Sequence, residues 1–237
     1  MKVWVFVEGE SDRLALEALW KAWKERLREQ RHGIAIIPLG SKGAVLKRIG
    51  ARAAEKIINN NVDLAVGLPD LYPNANFAGT PFNHDNLADL RQIQTSSVRK
   101  ALRDIYGKRD DDMPSLIERF RASALKHDLE VLLLAAREEL RAYLGTSDRL
   151  GGWRHPVEEQ NQQRAPKHIV KDLFMRYKNC RYRETVDAPS VLRRVADIAD
   201  LLYDDNHRLQ CPVFKELLDW VGAKTGVPAY SPQQSPL

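Results

Sequence analysis

The first 70 residues alternate short apolar runs with longer amphipathic stretches, and this alternation restricts the fold more than any other feature of the sequence. Residues 2–7, 33–38 and 62–68 are apolar runs rich in β-branched side chains, which is typical of buried strands. The segments between them repeat apolar residues at helical spacing. Because crossovers between parallel strands are right-handed, this order predicts an α/β protein with a parallel sheet.

After residue 70 the pattern predicts one more strand and then mostly helices. Residues 69–85 are predicted to form a long loop, because they are rich in proline and asparagine and show no period. Residues 120–125 are the candidate fourth strand, and residues 130–144 predict one helix that ends at Gly145. The prediction is a Rossmann-like, mostly parallel four-stranded sheet flanked by helices, with a helical C-terminal extension. The expected domain limits are 1–145 for the α/β domain, 146–226 for the helical extension packed on it and 227–237 for a flexible tail.

Composition indicates the class of protein and its surroundings. The chain of 237 residues has 43% hydrophobic residues, enough for a core without covalent cross-links. Its two cysteines, Cys180 and Cys211, are too few for a disulfide framework, which favours a cytoplasmic location. The longest apolar run, residues 131–136, is far shorter than a membrane span, and no signal peptide is visible, so no membrane partner is expected. The net charge of +5 is compatible with a polyanionic partner.

Acidic residues follow the predicted strands, at the edge where α/β sheets bind ligands. Glu8 follows the first strand, Asp70 the third, and Asp128 and Glu130 the fourth; Asp12 lies one helical turn after Glu8. Converging carboxylates repel each other, so such a cluster usually holds a cation, and oxygen ligands suit Mg²⁺ or Mn²⁺. The chemistry that follows is metal-assisted phosphodiester hydrolysis. Each acid alone also has a structural explanation, as a helix-start residue for Glu8 and Asp12 or as an Asx turn for Asp70.

In their order along the chain, these segments resemble the TOPRIM domain, which occurs in topoisomerases, primases and OLD-type nucleases. The closest resemblance is to an uncharacterised bacterial branch of that superfamily, a domain of unknown function, and it extends over about residues 3–189. The matching residues are Glu8, Gly9 and Asp12; Asp70, Tyr72 and Pro73; Asp128 and Glu130; and Tyr182, Arg183, Thr185, Val186, Asp187, Ala188 and Pro189.

The resemblance implies that Glu8 is the general acid or base and a metal ligand, and that Asp70 is a second ligand. TOPRIM domains usually supply a D-x-D pair at the second position, whereas this chain has Tyr72 two residues after Asp70. A neutral phenol is a poor magnesium ligand, so a further carboxylate must come from Asp128 or Glu130 or be absent. The implied metal ligands are Glu8, Asp12, Asp70, Asp128 and Glu130, with Glu8, Asp70 and Glu130 as the catalytic set.

Two basic segments are candidates for contact with phosphate. Lys42 lies in the turn between the second strand and the second helix, at the same sheet edge as the acids, where backbone amides and a lysine can hold phosphate. A plain turn with a solvated lysine is equally consistent with this sequence. Arg181 and Arg183 belong to a stretch that mixes basic and aromatic residues, including Tyr177 and Tyr182, as surfaces that bind single strands do. The alternative is that Tyr177 packs in the core while the basic residues are solvated.

Three functions are consistent with the sequence. The preferred one is a Mg²⁺- or Mn²⁺-dependent nuclease acting on DNA or RNA. By resemblance, members of this branch often lie beside an AAA- or ABC-type ATPase in anti-phage defence loci, so an ATPase partner is implied. The first alternative is a catalytically degenerate module that binds nucleic acid or the ATPase, which Tyr72 in place of an acid favours. The second is a metal-dependent phosphatase or phosphotransferase acting on nucleotides, without affinity for long polyanions.

Overall fold

The structure is a computed structural model that describes residues 1–160 and 162–231. The strands are β1 (Lys2–Val7), β2 (Gly33–Pro38), β3 (Leu64–Leu68) and β4 (Phe120–Ala122). The helices are α1 (Glu10–Leu19), α2 (Lys21–Glu29), α3 (Lys42–Asn59), α4 (Leu87–Asp104), α5 (Met113–Ile117), α6 (Glu130–Ala135), α7 (Arg137–Leu144), α8 (Pro166–Lys178), α9 (Glu184–Leu192), α10 (Ile198–Leu202) and α11 (Pro212–Thr225).

The chain divides into two compact units. The first unit contains Met1–Arg13 and Leu27–Leu125, and the second contains Leu14–Arg26 and Lys126–Leu237. The domain limits predicted at residues 145 and 226 stay predictions, and residues 232–237 of the predicted tail lie outside the described residues. Within the described ranges, no helix combines the length and the apolarity that crossing a membrane requires.

The first unit is built on a parallel sheet with the strand order β2-β1-β3-β4. β1 and β3 are the inner strands, and all five residues of β3 are buried, which explains its continuously apolar sequence. Helices α3 and α4 contribute Ile49 and Val98 to the core cluster that contains Phe6 of β1. The predicted α/β fold, a four-stranded parallel sheet flanked by helices, is therefore confirmed.

Two glycines allow α4 to lie very close to its neighbours. A Cβ atom on Gly50 of α3 would lie 2.4 Å from the backbone oxygen of Ser97, and one on Gly67 of β3 would lie 1.9 Å from Oε1 of Gln94. The buried Gln94 side chain donates from Nε2 to the backbone oxygen of Ser123, just after β4, at 2.9 Å. Helix α4 is thereby held against α3 and against the carboxyl ends of β3 and β4.

The limits of β3 and β4 differ from the prediction at one end each. β3 begins at Leu64 because Asp63 accepts hydrogen bonds from the Lys2 amide at 2.8 Å and from Trp4 Nε1 at 3.1 Å. β4 ends at Ala122, but backbone pairing continues beyond it, since the Leu125 amide donates to the oxygen of Pro69 at 3.0 Å. The predicted fourth strand is therefore correct in place and shorter in extent.

In the second unit, the single helix predicted over residues 130–144 is divided into α6 and α7. The division lies at Ala136, whose φ of −76° and ψ of 53° are not helical. All six residues of α6 are buried. A helix surrounded by protein on every side has no polar stripe, so its periodicity gives no signal of where it ends.

The helical segment predicted between the first two strands also consists of two helices, α1 and α2, which meet at Trp20. Trp20 and Trp23 pack edge to face with ring centroids 5.7 Å apart, and Trp20 stacks on Phe214 of α11 at 6.2 Å. Trp23 Nε1 donates to the backbone oxygen of Val227 at 3.0 Å. The apolar stripe that predicts this helical region therefore belongs to an aromatic core within the second unit.

Candidate functional site

The parallel pairing of β1 with β3 brings Glu8 and Asp70 to adjacent strand ends. The register pairs Val7 with Leu68, so each acid follows its strand by one or two residues. The Asp70 amide donates to Glu8 Oε1 at 2.9 Å. An isolated bridge between Asp70 and Leu125 fixes the backbone on the other side of this segment. The position of these two acids is therefore determined by backbone hydrogen bonds.

The acid–base behaviour of Glu8 is strongly altered by this arrangement. The pKa of Glu8 is raised to about 7, mainly by burial and also by the negative charge of Asp12. The amides of Asp70 and Lys42 and the charge of Lys42 partly oppose this rise. Asp12 is itself buried and accepts the Gly9 amide at 2.9 Å. This hydrogen bond closes the turn at the start of α1, so Asp12 has a structural role in addition to the proposed one.

Lys42 is the cation of this site, and its ammonium group faces the loop after β3. Only 7% of the residue is exposed, and Nζ donates to the backbone oxygens of Leu71 at 2.7 Å and Pro73 at 2.8 Å. Burial lowers the pKa of Lys42 to about 8, and the charges of Glu8 and Asp70 oppose that shift. Lys42 therefore neutralises part of the acidic charge and ties down the loop that begins at Asp70.

A second pair of candidate acids, Asp128 and Glu130, lies in the second unit at the start of α6. Glu130 is 2% exposed, and burial raises its pKa to about 8, with a further contribution from the charge of Asp128. Burial also raises the pKa of Asp128, which the positive charge of Lys167 opposes. Lys167 forms an ion pair with Glu184 at 2.6 Å. Sequence reasoning missed Lys167, because it lies on α8 and nothing in its local sequence connects it with residue 130.

Tyr182 has a different place from the one expected of it. It is buried, and its ring lies 5.1 Å from that of Phe174, whereas the sequence suggested an aromatic on a nucleic-acid surface. Burial and the charge of Glu130 raise the pKa of its phenol, so the hydroxyl stays protonated beside the second acid pair. Val170 and Phe174 recur at helical spacing on α8, and both are buried in this core. Their spacing was the signal in the sequence that this region packs in the protein interior.

Arg181 and Arg183, the predicted nucleic-acid contacts, are exposed in the second unit. Close to them in sequence, Lys178 Nζ lies 3.9 Å from the ring centroid of Tyr143, and the guanidinium of Arg194 lies 5.5 Å from it. The Tyr143 hydroxyl donates to Asp187 Oδ1 at 2.8 Å. Tyr143 was not singled out in the sequence, because its cationic neighbours are distant along the chain: Lys178 lies at the end of α8 and Arg194 follows α9.

The structure thus places the predicted residues in two groups. Glu8, Asp12, Asp70 and Lys42 belong to the first unit, and Asp128, Glu130, Arg181 and Arg183 belong to the second. Across residues 1–160 and 162–231, no three His, Cys, Asp or Glu side chains are grouped so that they could hold a metal ion. Mg²⁺ is commonly bound by only one or two carboxylates, with water and substrate phosphate as further ligands. Two carboxylates, those of Glu8 and Asp70, are therefore enough for this mode of binding. The roles of all these residues stay predictions.

Known proteins provide an independent comparison. Residues 1–50 match the family model of the overcoming lysogenization defect (OLD) protein-like TOPRIM domain. The C-terminal region of the Burkholderia pseudomallei OLD protein is 15% identical over 94% of this chain and 98% of that chain, with a TM-score of 0.46. The same region of the Xanthomonas campestris pv. campestris OLD protein is 16% identical over 81% of this chain and 85% of that chain, with a TM-score of 0.38. Comparison with curated proteins gives no match.

The family match covers the segment that carries three of the candidate residues, Glu8, Asp12 and Lys42. TOPRIM domains generally use divalent metal ions, which agrees with the oxygen ligands at the strand ends. The predicted resemblance is confirmed: the amino-terminal part of this chain is similar to the TOPRIM domain of OLD-like proteins, a nuclease-type family.

Proposed function

We propose that this chain is a divalent-metal-dependent nuclease that hydrolyses phosphodiester bonds in DNA or RNA. Glu8 and Asp70 hold the ion, which is Mg²⁺ or Mn²⁺, and Asp12 supports them. The observation that carries the proposal is the pairing of β1 with β3, which brings both acids to adjacent strand ends and joins the Asp70 amide to the Glu8 carboxylate. The ion would activate water and neutralise charge on the phosphate.

The residues of the chain contribute acid–base chemistry and charge. The raised pKa of Glu8, about 7, allows its carboxyl group to accept or release a proton near neutral pH. General acid–base catalysis is most effective when the pKa of the catalytic group lies close to the working pH. Lys42 keeps a positive charge near Glu8 and Asp70 and so limits their mutual repulsion. We propose Glu130 as the third catalytic residue and Asp128 as a further ligand, because both are acids whose pKa is raised by burial.

The exposed basic segment of the second unit supports a nucleic-acid substrate. Arg181 and Arg183 are exposed, and a guanidinium group can bind phosphate oxygens through two parallel hydrogen bonds. Lys178 and Arg194 add positive charge around the Tyr143 ring. We expect these side chains to contact the phosphate backbone, which fixes a strand without selecting its sequence.

An AAA- or ABC-type ATPase partner, a role in anti-phage defence and a cytoplasmic location are proposed together. Their support is the resemblance to OLD-like TOPRIM domains and to the uncharacterised branch that shares these motifs. No P-loop motif occurs in the 237 residues. Co-expression with an ATPase encoded beside the gene, followed by purification through a tag on this chain, tests the association.

The metal site is tested by titrating Mn²⁺ into the chain in a calorimeter. Glu8→Gln and Asp70→Asn remove one charge each and keep the size of the side chain. Glu10→Gln is the matched control, because Glu10 is exposed at the start of α1 and pairs with Arg13 of the same helix. We expect the first two variants to weaken Mn²⁺ binding at least about tenfold and the control to bind normally. Equal affinity in all four proteins would contradict the proposed site.

A catalytically degenerate module that binds nucleic acid or an ATPase is the second candidate. The observation that favours it is the lack, within the described ranges, of a cluster of three metal-binding side chains. Incubation with labelled DNA and RNA in Mg²⁺ or Mn²⁺ separates the candidates. Cleavage that Glu8→Gln abolishes supports the nuclease, whereas salt-dependent binding without cleavage supports the module. Release of phosphate from mononucleotides, without a steep salt dependence for long strands, would instead indicate a phosphatase.

A further inference from the structure

We propose that the second unit contains a binding site for a nucleotide phosphate, distinct from the acids discussed above. A cavity of about 450 Å³ lies against the segment between α7 and α8 and is lined by four arginines and an aromatic ring. The residues that carry the proposal are Arg149, Trp153, Arg154 and Arg208. All lining residues belong to the second unit.

The segment that forms the wall of this cavity is anchored at both ends and exposed between them. Leu150 and Val157 are buried and fix the ends of the segment. Between them, Gly152 has a φ of +86°, which a residue with a Cβ rarely adopts, and it turns the chain at the cavity. The Arg154 amide donates to Oε1 of the buried Gln160 at 2.8 Å. The buried flanking residues and this hydrogen bond therefore restrain the backbone that carries Trp153 and Arg154.

The charges around the cavity do not cancel. Asp204 accepts hydrogen bonds from Nε of Arg208 at 2.9 Å and from Nη2 of the same residue at 2.6 Å. Arg137, also in the wall, pairs with Asp205 at 2.6 Å. In the part of the chain that the structure describes, Arg149 and Arg154 have no carboxylate partner. The lining therefore carries an excess of positive charge that an anion would neutralise.

The arrangement matches the chemistry of a nucleotide. Guanidinium groups bind phosphate oxygens bidentately, and several of them on one cavity favour a phosphate over a single carboxylate. Trp153 is half-buried and lines the same cavity, so its indole offers an apolar face for stacking of a base. The volume lies within the range of small-ligand sites. A free nucleotide and the phosphorylated end of a nucleic-acid strand both offer a phosphate for the arginines and a base for Trp153.

Binding is tested by calorimetry on the full chain in EDTA, which keeps the strand-end acids free of metal and separates this site from the proposed nuclease activity. The ligands are AMP, inorganic phosphate, and one short oligonucleotide prepared with either a 5′-phosphate or a 5′-hydroxyl. We expect AMP to bind, and Arg149→Ala/Arg154→Ala to weaken it at least about tenfold, because each lost arginine removes charged hydrogen bonds. Arg28→Ala/Arg99→Ala removes the same charge at exposed arginines of the first unit and should leave the affinity unchanged.

The aromatic contribution is tested separately. Trp153→Leu should weaken AMP binding but not the binding of inorganic phosphate, and Trp153→Phe should restore much of the AMP affinity. Tighter binding of the 5′-phosphate oligonucleotide than of AMP would identify a strand end as the ligand, and equal binding would identify a free nucleotide. The proposal is overturned if neither AMP nor the 5′-phosphate oligonucleotide binds at millimolar concentration, or if the Arg149→Ala/Arg154→Ala variant binds AMP as well as the native chain.

Discussion

The two groups of candidate acids are held in different ways. In the first unit, Glu8 and Asp70 follow neighbouring strands, and the amide of one bonds to the carboxylate of the other. In the second unit, Asp128 and Glu130 stand at the start of a fully buried helix, and the cation whose charge lowers their pKa, Lys167, comes from α8. Backbone pairing positions the first group, whereas side-chain packing between helices positions the second.

Their electrostatics are nevertheless alike. Burial is the largest cause of the raised pKa in both groups, which brings Glu8 to about 7 and Glu130 to about 8. In each group the charge of a neighbouring acid is part of this rise, and the charge of a lysine opposes it. Two unrelated architectures thus produce carboxyl groups that change charge close to neutral pH, which is the property expected of acid–base residues.

The largest expected effect distinguishes the two groups by activity. We expect Glu8→Gln and Glu130→Gln each to lower kcat/KM for cleavage of a labelled oligonucleotide by about 10²–10⁴-fold, because each removes a proposed acid–base group. Glu138→Gln is the control, since Glu138 is exposed on α7 and pairs with Arg137 and Arg141 at the surface. Circular dichroism would show whether the variants fold. Full activity in Glu130→Gln alone would restrict the catalytic role to the first unit.

Glu158, a buried acid without a proposed catalytic role, shows how burial changes the pKa of a carboxyl group outside the candidate sites. Glu158 is 1% exposed and accepts the amides of Val213 and Phe214, at the start of α11, at 2.7 and 3.0 Å. Burial nevertheless raises its pKa from 4.5 to about 7. Because the folded-state pKa is the higher one, the folded chain binds the proton more tightly. The contribution of Glu158 to the free energy of unfolding is therefore complete below pH 4.5 and is lost as the pH rises through about 7.

We expect this loss to reach about 3 kcal/mol and to be absent from Glu158→Gln, which cannot titrate. At pH 5 the variant should be less stable by about 1–3 kcal/mol, because the amide replaces one of two acceptor oxygens. The measurement is urea denaturation of both proteins at pH 5 and pH 8. A difference between the two proteins that does not change with pH would show that Glu158 keeps an ordinary pKa.

The sequence allowed prediction of those parts of the fold that depend on local pattern and on sheet topology. The alternation of strands and helices gave the parallel sheet, and the order of the strands then placed Glu8 and Asp70 at one edge. The division of the predicted helix at Ala136 could not be predicted, since α6 is buried on all sides and lacks a polar face. The surroundings of Glu130 were equally invisible, because Lys167 and Tyr182 reach it through packing between distant segments.

Lys42 marks the limit of prediction within the first unit. Its predicted place in the turn between the second strand and the second helix indicates contact with phosphate. In the structure Lys42 is instead the first residue of α3, and its Nζ donates to the backbone oxygens of Leu71 and Pro73. Lys42→Met keeps the aliphatic stem but removes both charged hydrogen bonds, so we expect a loss of about 2 kcal/mol in the free energy of unfolding. Lys47→Met, at an exposed position of α3, is the control. Equal stability of the two variants in urea would return Lys42 to the role of a phosphate contact.

The smallest expected effect concerns Tyr143, whose hydroxyl donates to the buried Asp187. Tyr143→Phe removes one partly buried hydrogen bond, which corresponds to about 1 kcal/mol and a fall in Tm of about 2–4 °C. Tyr177→Phe is the matched control, because the hydroxyl of Tyr177 bonds to Asp148 on the exposed surface.

Affinity for oligonucleotides should not change in Tyr143→Phe, since the ring stays between Lys178 and Arg194. A fall in affinity with no change in Tm would mean that the hydroxyl faces the substrate rather than the protein. Tyr143 would then be part of the surface by which the second unit binds nucleic acid, although the sequence did not indicate such a role. Such a result would sharpen the contrast with the first unit, where the candidate residues follow directly from the order of the strands.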